Sequence, residues 1–347
     1  MESQTLPVLR PLRLGELLDQ AIRLYRQNFM TFIGIIALVY VPLMVLQTAS
    51  STLMTSSMTD LGSYSTPQQL FSNVAYWVSA LSSVVLIFLQ LVFVQGIATG
   101  ALTRAVADNY FGRKTGILDA YRGIGRSWIS LLGALLFIGL AAIVVFLWWL
   151  IVPCVGWFTG LGMLAFLGAA ISPMVAPVVV LEKQNAIDSV RRAWFLTRRR
   201  FWPVLGTIFV LYLFNMLIVN GPTALASFLL TSLSPSFGDG TAQTVITAII
   251  QAMVSIVFIL IYYPLQMTAF TLIYFDLRVR TEGFDLALLA SGDAEQAIAT
   301  PVQSKESLIT GTDLGNFAIL TFGAVGLYIF LFSFIFGGLF FFSGLFN

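Results

Sequence analysis

Basic residues occupy every second segment between apolar stretches, and this alternation marks a chain that crosses a membrane repeatedly. Seven apolar stretches lie at 29–48, 74–103, 128–152, 157–181, 201–219, 244–275 and 317–342. Segments 1–28, 104–127, 182–200 and 276–316 hold 4, 5, 6 and 3 Lys or Arg residues, which accounts for all 18. Segments 49–73, 153–156 and 220–243, and the tail after Phe342, hold none. Basic residues in short loops beside spans stay on the cytoplasmic side. The expected topology is therefore a multi-pass protein of the cell (inner or plasma) membrane, with its N-terminus in the cytoplasm and its C-terminus outside. The acids follow the same side, leaving only Asp60 and Asp239 in the other segments.

About 20 apolar residues in a helix cross the ~30 Å hydrocarbon layer. Charged residues make up 10% of the chain and apolar ones 58%, where a soluble domain has about 25% charged. So apolar a chain needs lipid as its solvent, and in lipid each span must pair its own backbone groups, as a helix does. Short period-two segments of a barrel are absent. The expected fold class is all-α, a polytopic transmembrane helical bundle. The first apolar stretch follows 28 residues that carry charges of both signs, so it is expected to act as an uncleaved anchor.

The inventory of reactive groups is thin. The chain has no His and a single Cys, Cys154. The usual metal ligand and the usual general base near neutral pH are missing. No phosphate loop, nucleophile elbow or nucleic-acid motif is present. No cofactor, metal or nucleic-acid partner is expected, and no enzymatic activity.

No charged residue lies deep in a span, but five amides do: Gln90, Gln95, Asn215, Gln251 and Gln266. They are expected to bond between helices, at roughly 0.6–2 kcal/mol each, with a polar pathway as the sharper reading. Pro173 and Pro177 are expected to kink or break the fourth span. Gly96 and Gly100, and Gly156 and Gly160, permit close helix contact.

A pattern recurs three times before a span: an Asp, an Arg three or four residues on, then an aromatic residue. It runs from Leu17 through Asp19 and Arg23 to Phe29, from Ile117 through Asp119 and Arg122 to Trp128, and from Ala186 through Asp188 and Arg191 to Trp202. In the first copy Leu14, Leu17, Leu18, Ala21 and Tyr25 share a helical face. These segments are expected to be amphipathic interfacial helices. Each leads a two-span hairpin, giving units 11–115, 116–184 and 185–285. The six-span core thus covers 1–285, a flexible polar cytoplasmic linker 286–316, and a seventh span, 317–342, is appended through a mobile attachment.

Two charge groups are candidate sites. Arg23, Arg26, Arg122, Arg126, Arg198, Arg199 and Arg200 are candidate contacts to anionic lipid or a partner, at about 1 kcal/mol per basic residue near the surface. Asp19, Glu182, Asp188, Arg192, Asp276, Arg278, Arg280 and Glu282 are a candidate cytoplasmic ion-pair network that fixes the hairpins against one another.

Three stretches carry a resemblance: Leu14–Phe29, Ala176 through Glu182, Asp188, Arg192 and Trp194 to Arg200, and Leu272–Leu286. Together they resemble the membrane domain fused to some bacterial glycerophosphodiester phosphodiesterases, which also occurs as free-standing membrane proteins. The resemblance covers about residues 8–288. It implies membrane architecture and not the phosphodiesterase activity, whose separate barrel uses His and acids around a divalent cation. The functional expectation is a non-enzymatic accessory or scaffold protein at the cytoplasmic lipid interface. Its expected partners are membrane lipids, anionic ones among them, and a membrane or cytoplasmic protein. A transporter or lipid-handling protein is the alternative.

Overall fold

The computed structural model describes residues 10–61, 74–233, 241–299 and 309–345, which are helical almost throughout and contain no strand. Six helical stretches are long and apolar enough to cross a membrane: Phe29–Thr52, Ala80–Tyr110, Ser127–Ile151, Val155–Glu182, Phe201–Ser232 and Val245–Glu282. The protein is a multi-pass, all-α membrane bundle.

The core is three hairpins, each led by a short helix. In the first, α1 (Leu14–Gln27) leads α2 (Phe29–Leu61) and α3 (Val74–Leu89), which continues through a π-helical stretch, Gln90–Ala98, into α4 (Thr99–Tyr110). In the second, α5 (Ile117–Ile124) leads α6 (Ser127–Ile151), and the return is α7 (Val155–Phe166), a π-helical turn at Leu167–Ile171 and α8 (Ser172–Glu182). In the third, α9 (Ala186–Arg198) leads α10 (Phe201–Asn215), a π-helical turn at Met216–Asn220 and α11 (Gly221–Leu233), with α12 (Thr241–Glu282) returning. Then come α13 (Phe284–Ser291), α14 (Ala294–Ala299) and α15 (Gly311–Leu345).

Each short helix buries its apolar stripe on the hairpin before it, in a closed cycle. α1 lies along α12 of the third hairpin, with Leu17, Ala21, Leu24 and Tyr25 buried. The Tyr25 hydroxyl donates to the Ile261 carbonyl at 2.8 Å. α5 covers α4 of the first hairpin through Ala120 and Ile124. α9 packs on α6 and α8 of the second through Val190, Ala193 and Trp194. The amphipathic pattern thus marks a face that a neighbouring hairpin covers. The return helices α4, α8 and α12 touch one another pairwise and form the inner layer. On α6, Leu136, Leu140, Val144, Leu147 and Ile151 face outward, where lipid solvates them.

Local chemistry sets the boundaries. Glu16 accepts the Arg13 backbone N–H at 3.0 Å and caps the start of α1. α5 stops at Gly125, whose φ of +54° an L side chain rarely adopts. The fourth span is not broken at Pro173 and Pro177. It stays helical, with the π-helical turn Leu167–Ile171 placed just before Pro173, where proline's ring displaces the carbonyl four residues back. The α6–α7 hairpin is tight because Gly156 and Gly160 lack side chains: a Cβ at Gly156 would lie 2.5 Å from the Trp148 carbonyl oxygen, and one at Gly160 2.6 Å from the Trp149 Cβ. Gly96 and Gly100 leave room for ordinary contact.

In the stretch expected to be a linker, α13 and α14 fold onto the core, with Leu288, Ala294, Ala297 and Ile298 buried. The rest of that stretch, 300–308, lies outside the described residues. The helix holding the expected seventh span, α15, packs along α7. Thr321 Oγ1 accepts the Gly162 backbone N–H at 2.8 Å, Phe322 stacks on Phe158, and Phe317 joins Phe166, Trp194 and Phe201. Asp313 pairs with Arg198 at 3.3 Å at the charged end.

Candidate functional site

A cavity of about 560 Å³ lies between the three hairpins, and all six spans contribute to its wall. The three π-helical segments meet there, bringing Gln90 and Gln95, Gly168, and Val219 and Asn220 to its surface. A π turn holds an extra residue, so it rotates the side chains after it onto a face that the 3.6-residue period would not place there.

The lining is uncharged and mixes polar with apolar side chains. It holds five amides, Gln90, Gln95, Asn215, Asn220 and Gln266, with Tyr40, Tyr212, Tyr262, Tyr263, Thr99 and Ser172. Thr99 and Tyr263 share a hydrogen bond of 2.8 Å across the first and third hairpins, and the Tyr262 hydroxyl donates to the Leu211 carbonyl. None of the five amide side chains has a hydrogen-bond partner among the described residues. Nor are their polar atoms sealed in the packing, since among the described residues the fully buried unpaired side-chain atoms belong to Asp108 and Arg113. Four of the five amides singled out in the spans therefore converge on one space. Gln251 is the exception and bonds between helices, donating to Ser227 at 2.8 Å.

Along α12, Tyr262, Gln266, Phe270, Tyr274, Arg278 and Glu282 recur at four-residue steps. The first three line the cavity and the last three enter a buried charge cluster at the charged end. The row spans 20 residue steps, or about 30 Å of helix.

In that cluster Arg192 on α9 donates from Nε to Glu182 at the end of α8 at 3.1 Å, and its Nη1 pairs with Glu282. Arg278 donates from Nε to Glu282 at 3.1 Å and from Nη1 to the Ile298 carbonyl at 3.1 Å, and lies over the Phe284 ring. The Tyr274 hydroxyl donates to Glu182 at 2.8 Å. The side chains of Glu182 and Arg278 are 0% and 2% exposed. Burial pushes Arg192 down, but the Glu282 and Glu182 carboxylates outweigh it and hold the guanidinium above its ordinary value. Two Arg against two Glu make the cluster neutral, which lowers the desolvation cost of burying it.

Of the other residues expected in this network, Asp276 and Arg280 form a separate pair at 2.7 Å, and Asp276 also accepts the Leu12 backbone N–H at 2.8 Å. Asp19 and Asp188 are exposed and lie outside both groups. Glu182 at the end of α8 and Asp276 near the end of α12 play parallel parts, each accepting a donor from the segment that leads the next hairpin in the cycle. Among the expected lipid contacts, Arg23, Arg26, Arg122, Arg126, Arg199 and Arg200 are exposed, while Arg198 is half-buried against Asp313 and Phe195. The stretches Ala176–Arg200 and Leu272–Leu286, which carry part of the family resemblance, supply the charged side chains of the cluster, and Leu14–Phe29 packs beside Asp276.

Sequence reasoning missed Asn220, Thr99, Ser172 and the four tyrosines of the cavity. The usable signal was the tyrosine pair Tyr262-Tyr263 next to Gln266, in mid-span and not at a span end where aromatic belts sit. Among the described residues no three His, Cys, Asp or Glu side chains are grouped to hold a metal ion. No family model, no curated protein and no solved structure matches the chain.

Proposed function

We propose that this protein binds a small uncharged solute, rich in hydroxyl or amide groups, inside the membrane and carries it across. The observation behind this reading is the set of five unpaired amides around one membrane-embedded cavity. An amide without a partner in an apolar surround costs roughly 1–3 kcal/mol, so a wall of them is stable only when water or a ligand satisfies it. The volume falls in the range of about 300–1,000 Å³ common for small-molecule sites. With no ionisable Asp, Glu, Lys or Arg in the lining, the site suits a neutral solute and offers no carboxylate for ion coupling. The buried cluster then serves as the closed gate on the cytoplasmic side.

The test uses the full chain in proteoliposomes and stopped-flow light scattering after mixing with glycerol, erythritol or glucose. Faster solute equilibration than in empty liposomes is expected for at least one of them, and Gln95→Leu with Asn215→Leu should abolish it. No acceleration with any of the three, or an unchanged rate in the double variant, overturns the reading.

A second reading, a non-enzymatic accessory protein of the family that the three motifs resemble, is favoured by the exposed Arg23, Arg26, Arg122 and Arg126. A partner recovered in fixed ratio from the native membrane, and lost when these four are replaced by Ala, would support it.

A further inference from the structure

We propose that the junction of α1, α10 and α12 is a binding site for one anionic phospholipid, with its phosphate at Arg13 and Arg200 and an acyl chain in the crevice beneath them. The site is separate from the central cavity and does not depend on what that cavity binds.

The crevice has a volume of about 430 Å³. Its rim carries Arg13, Arg200 and Arg280, with Asp276 as the one carboxylate. Arg280 is already engaged, donating to Asp276 at 2.7 Å and to the Leu12 carbonyl at 2.5 Å. Glu16 accepts from Arg10 at 3.0 Å and from the Arg13 backbone N–H, and its charge is shared between the Arg10 and Arg13 guanidiniums. Arg200 is exposed and has no carboxylate partner among the described residues. It is the residue at the N-terminus of α10, where the first N–H groups of the helix are also unpaired and add positive potential. The rim therefore keeps Arg200 without a carboxylate partner and Arg13 only sharing Glu16 with Arg10, so the three Arg lining the crevice outweigh its one Asp.

Below the rim the chemistry changes. One wall runs from Arg200 down α10 to Thr207 and the other from Arg280 down α12 to Ile273, seven residue steps each, or about 10 Å of helix. Leu17, Val204 and Leu277 line this part, Gly206 contributes no side chain, and the Thr207 hydroxyl is spent on the Pro203 carbonyl at 2.8 Å. No unpaired polar group is offered there to a solute. A cationic rim over an apolar slot, at the end of two membrane spans, matches a lipid with a charged head and a hydrocarbon tail. A free anion would leave the slot empty, and a zwitterionic lipid would leave the two guanidiniums only partly compensated.

The experiment is native mass spectrometry and thermal unfolding of the full chain in detergent, with added phosphatidylglycerol, phosphatidylcholine of the same acyl chains, or inorganic phosphate. Phosphatidylglycerol alone should raise the unfolding temperature and stay bound as one adduct. Arg13→Ala with Arg200→Ala should weaken its retention about thirtyfold, at about 1 kcal/mol per Arg. Gly206→Leu should displace the lipid with every charge in place, since a Cβ there meets nothing within 4 Å and the added side chain starts in open space; an unchanged unfolding temperature without lipid checks that the fold is kept. Arg23→Ala with Arg26→Ala should change nothing. Equal retention in wild type and Gly206→Leu overturns the proposal. So does the same effect from phosphate, which would mean an anion site without a lipid slot. Equal binding of phosphatidylcholine, or an equal loss in the Arg23/Arg26 variant, also overturns it.

Discussion

Glu182 and Arg192 face each other across the α8–α9 turn at 3.1 Å, and the same guanidinium reaches Glu282 on α12, so one side chain ties the second hairpin to the third. Removing one member of a buried pair strands its partner's charge, at about 3–5 kcal/mol. Glu182→Ala should therefore destabilise the protein by that amount, and it also takes the acceptor of the Tyr274 hydroxyl. Exposed Asp188→Ala on the same short helix should lie within about 0.5 kcal/mol of wild type. Reversible unfolding in mixed micelles measures both. A loss below about 1 kcal/mol for Glu182→Ala would mean that water reaches the cluster.

Tyr25 and Tyr121 fasten the first two short helices by donating to the Ile261 and Ile35 carbonyls at 2.8 and 2.6 Å. Burial pushes both phenols from the ordinary 10.0 up to about 12. The folded state thus holds these protons more tightly than the unfolded one. The resulting stabilisation is complete below pH 10 and drains away as pH rises through about 12. Tyr25→Phe with Tyr121→Phe should cost about 1 kcal/mol per lost bond at neutral pH and flatten the fall in stability between pH 10 and 12. Unfolding temperature against pH checks it, and an unchanged alkaline slope would contradict the burial of these hydroxyls.

α15 is seated where α7 lacks a side chain. A Cβ at Gly162 would overlap the Phe317 backbone carbonyl. Gly162→Leu should therefore push α15 away and break the Thr321 bond and the Phe158–Phe322 stack. With Cys154 replaced by Ala, cysteines at 158 and 322 should be joined by a short bifunctional maleimide in the Gly162 background and not in Gly162→Leu. Equal cross-linking in both would show that α15 finds another seat.

The six core spans were legible because lipid imposes a simple demand, about twenty apolar residues with every backbone group paired. The three short helices were legible for a similar reason, since Leu17, Ala21 and Tyr25 repeat at helical spacing. A stripe says that a face is covered and not by what, so the cyclic docking of α1 on α12, α5 on α4 and α9 on α8 was out of reach. Glu182, Arg192, Arg278 and Glu282 stood out by charge at span ends, but their burial depends on α13 and α14 folding back over them, in a stretch that composition marks as a linker. The cavity was hidden for a geometric reason. Gln90 and Gln95 are five residues apart, which is off-face in an α-helix and on-face across a π segment. Spacing alone therefore separated side chains that the fold joins.

Phe270 lines the floor of the cavity, and Tyr274 and Arg278 follow it at four-residue steps into the cluster. If the cluster closes the charged end, opening it should admit water to Phe270 from that side. With Cys154 replaced by Ala, Phe270→Cys should resist a membrane-impermeant thiol reagent applied to the charged face. Adding Arg278→Ala removes the bonds to Glu282, Tyr274 and the Ala297 and Ile298 carbonyls together, and should make the same cysteine react at least tenfold faster. Asp276→Ala, which breaks only the neighbouring pair with Arg280 and Leu12, should leave the rate low. If Arg278→Ala left the cysteine protected, the barrier would be the buried apolar cluster to which position 270 belongs, and the charges would serve stability alone.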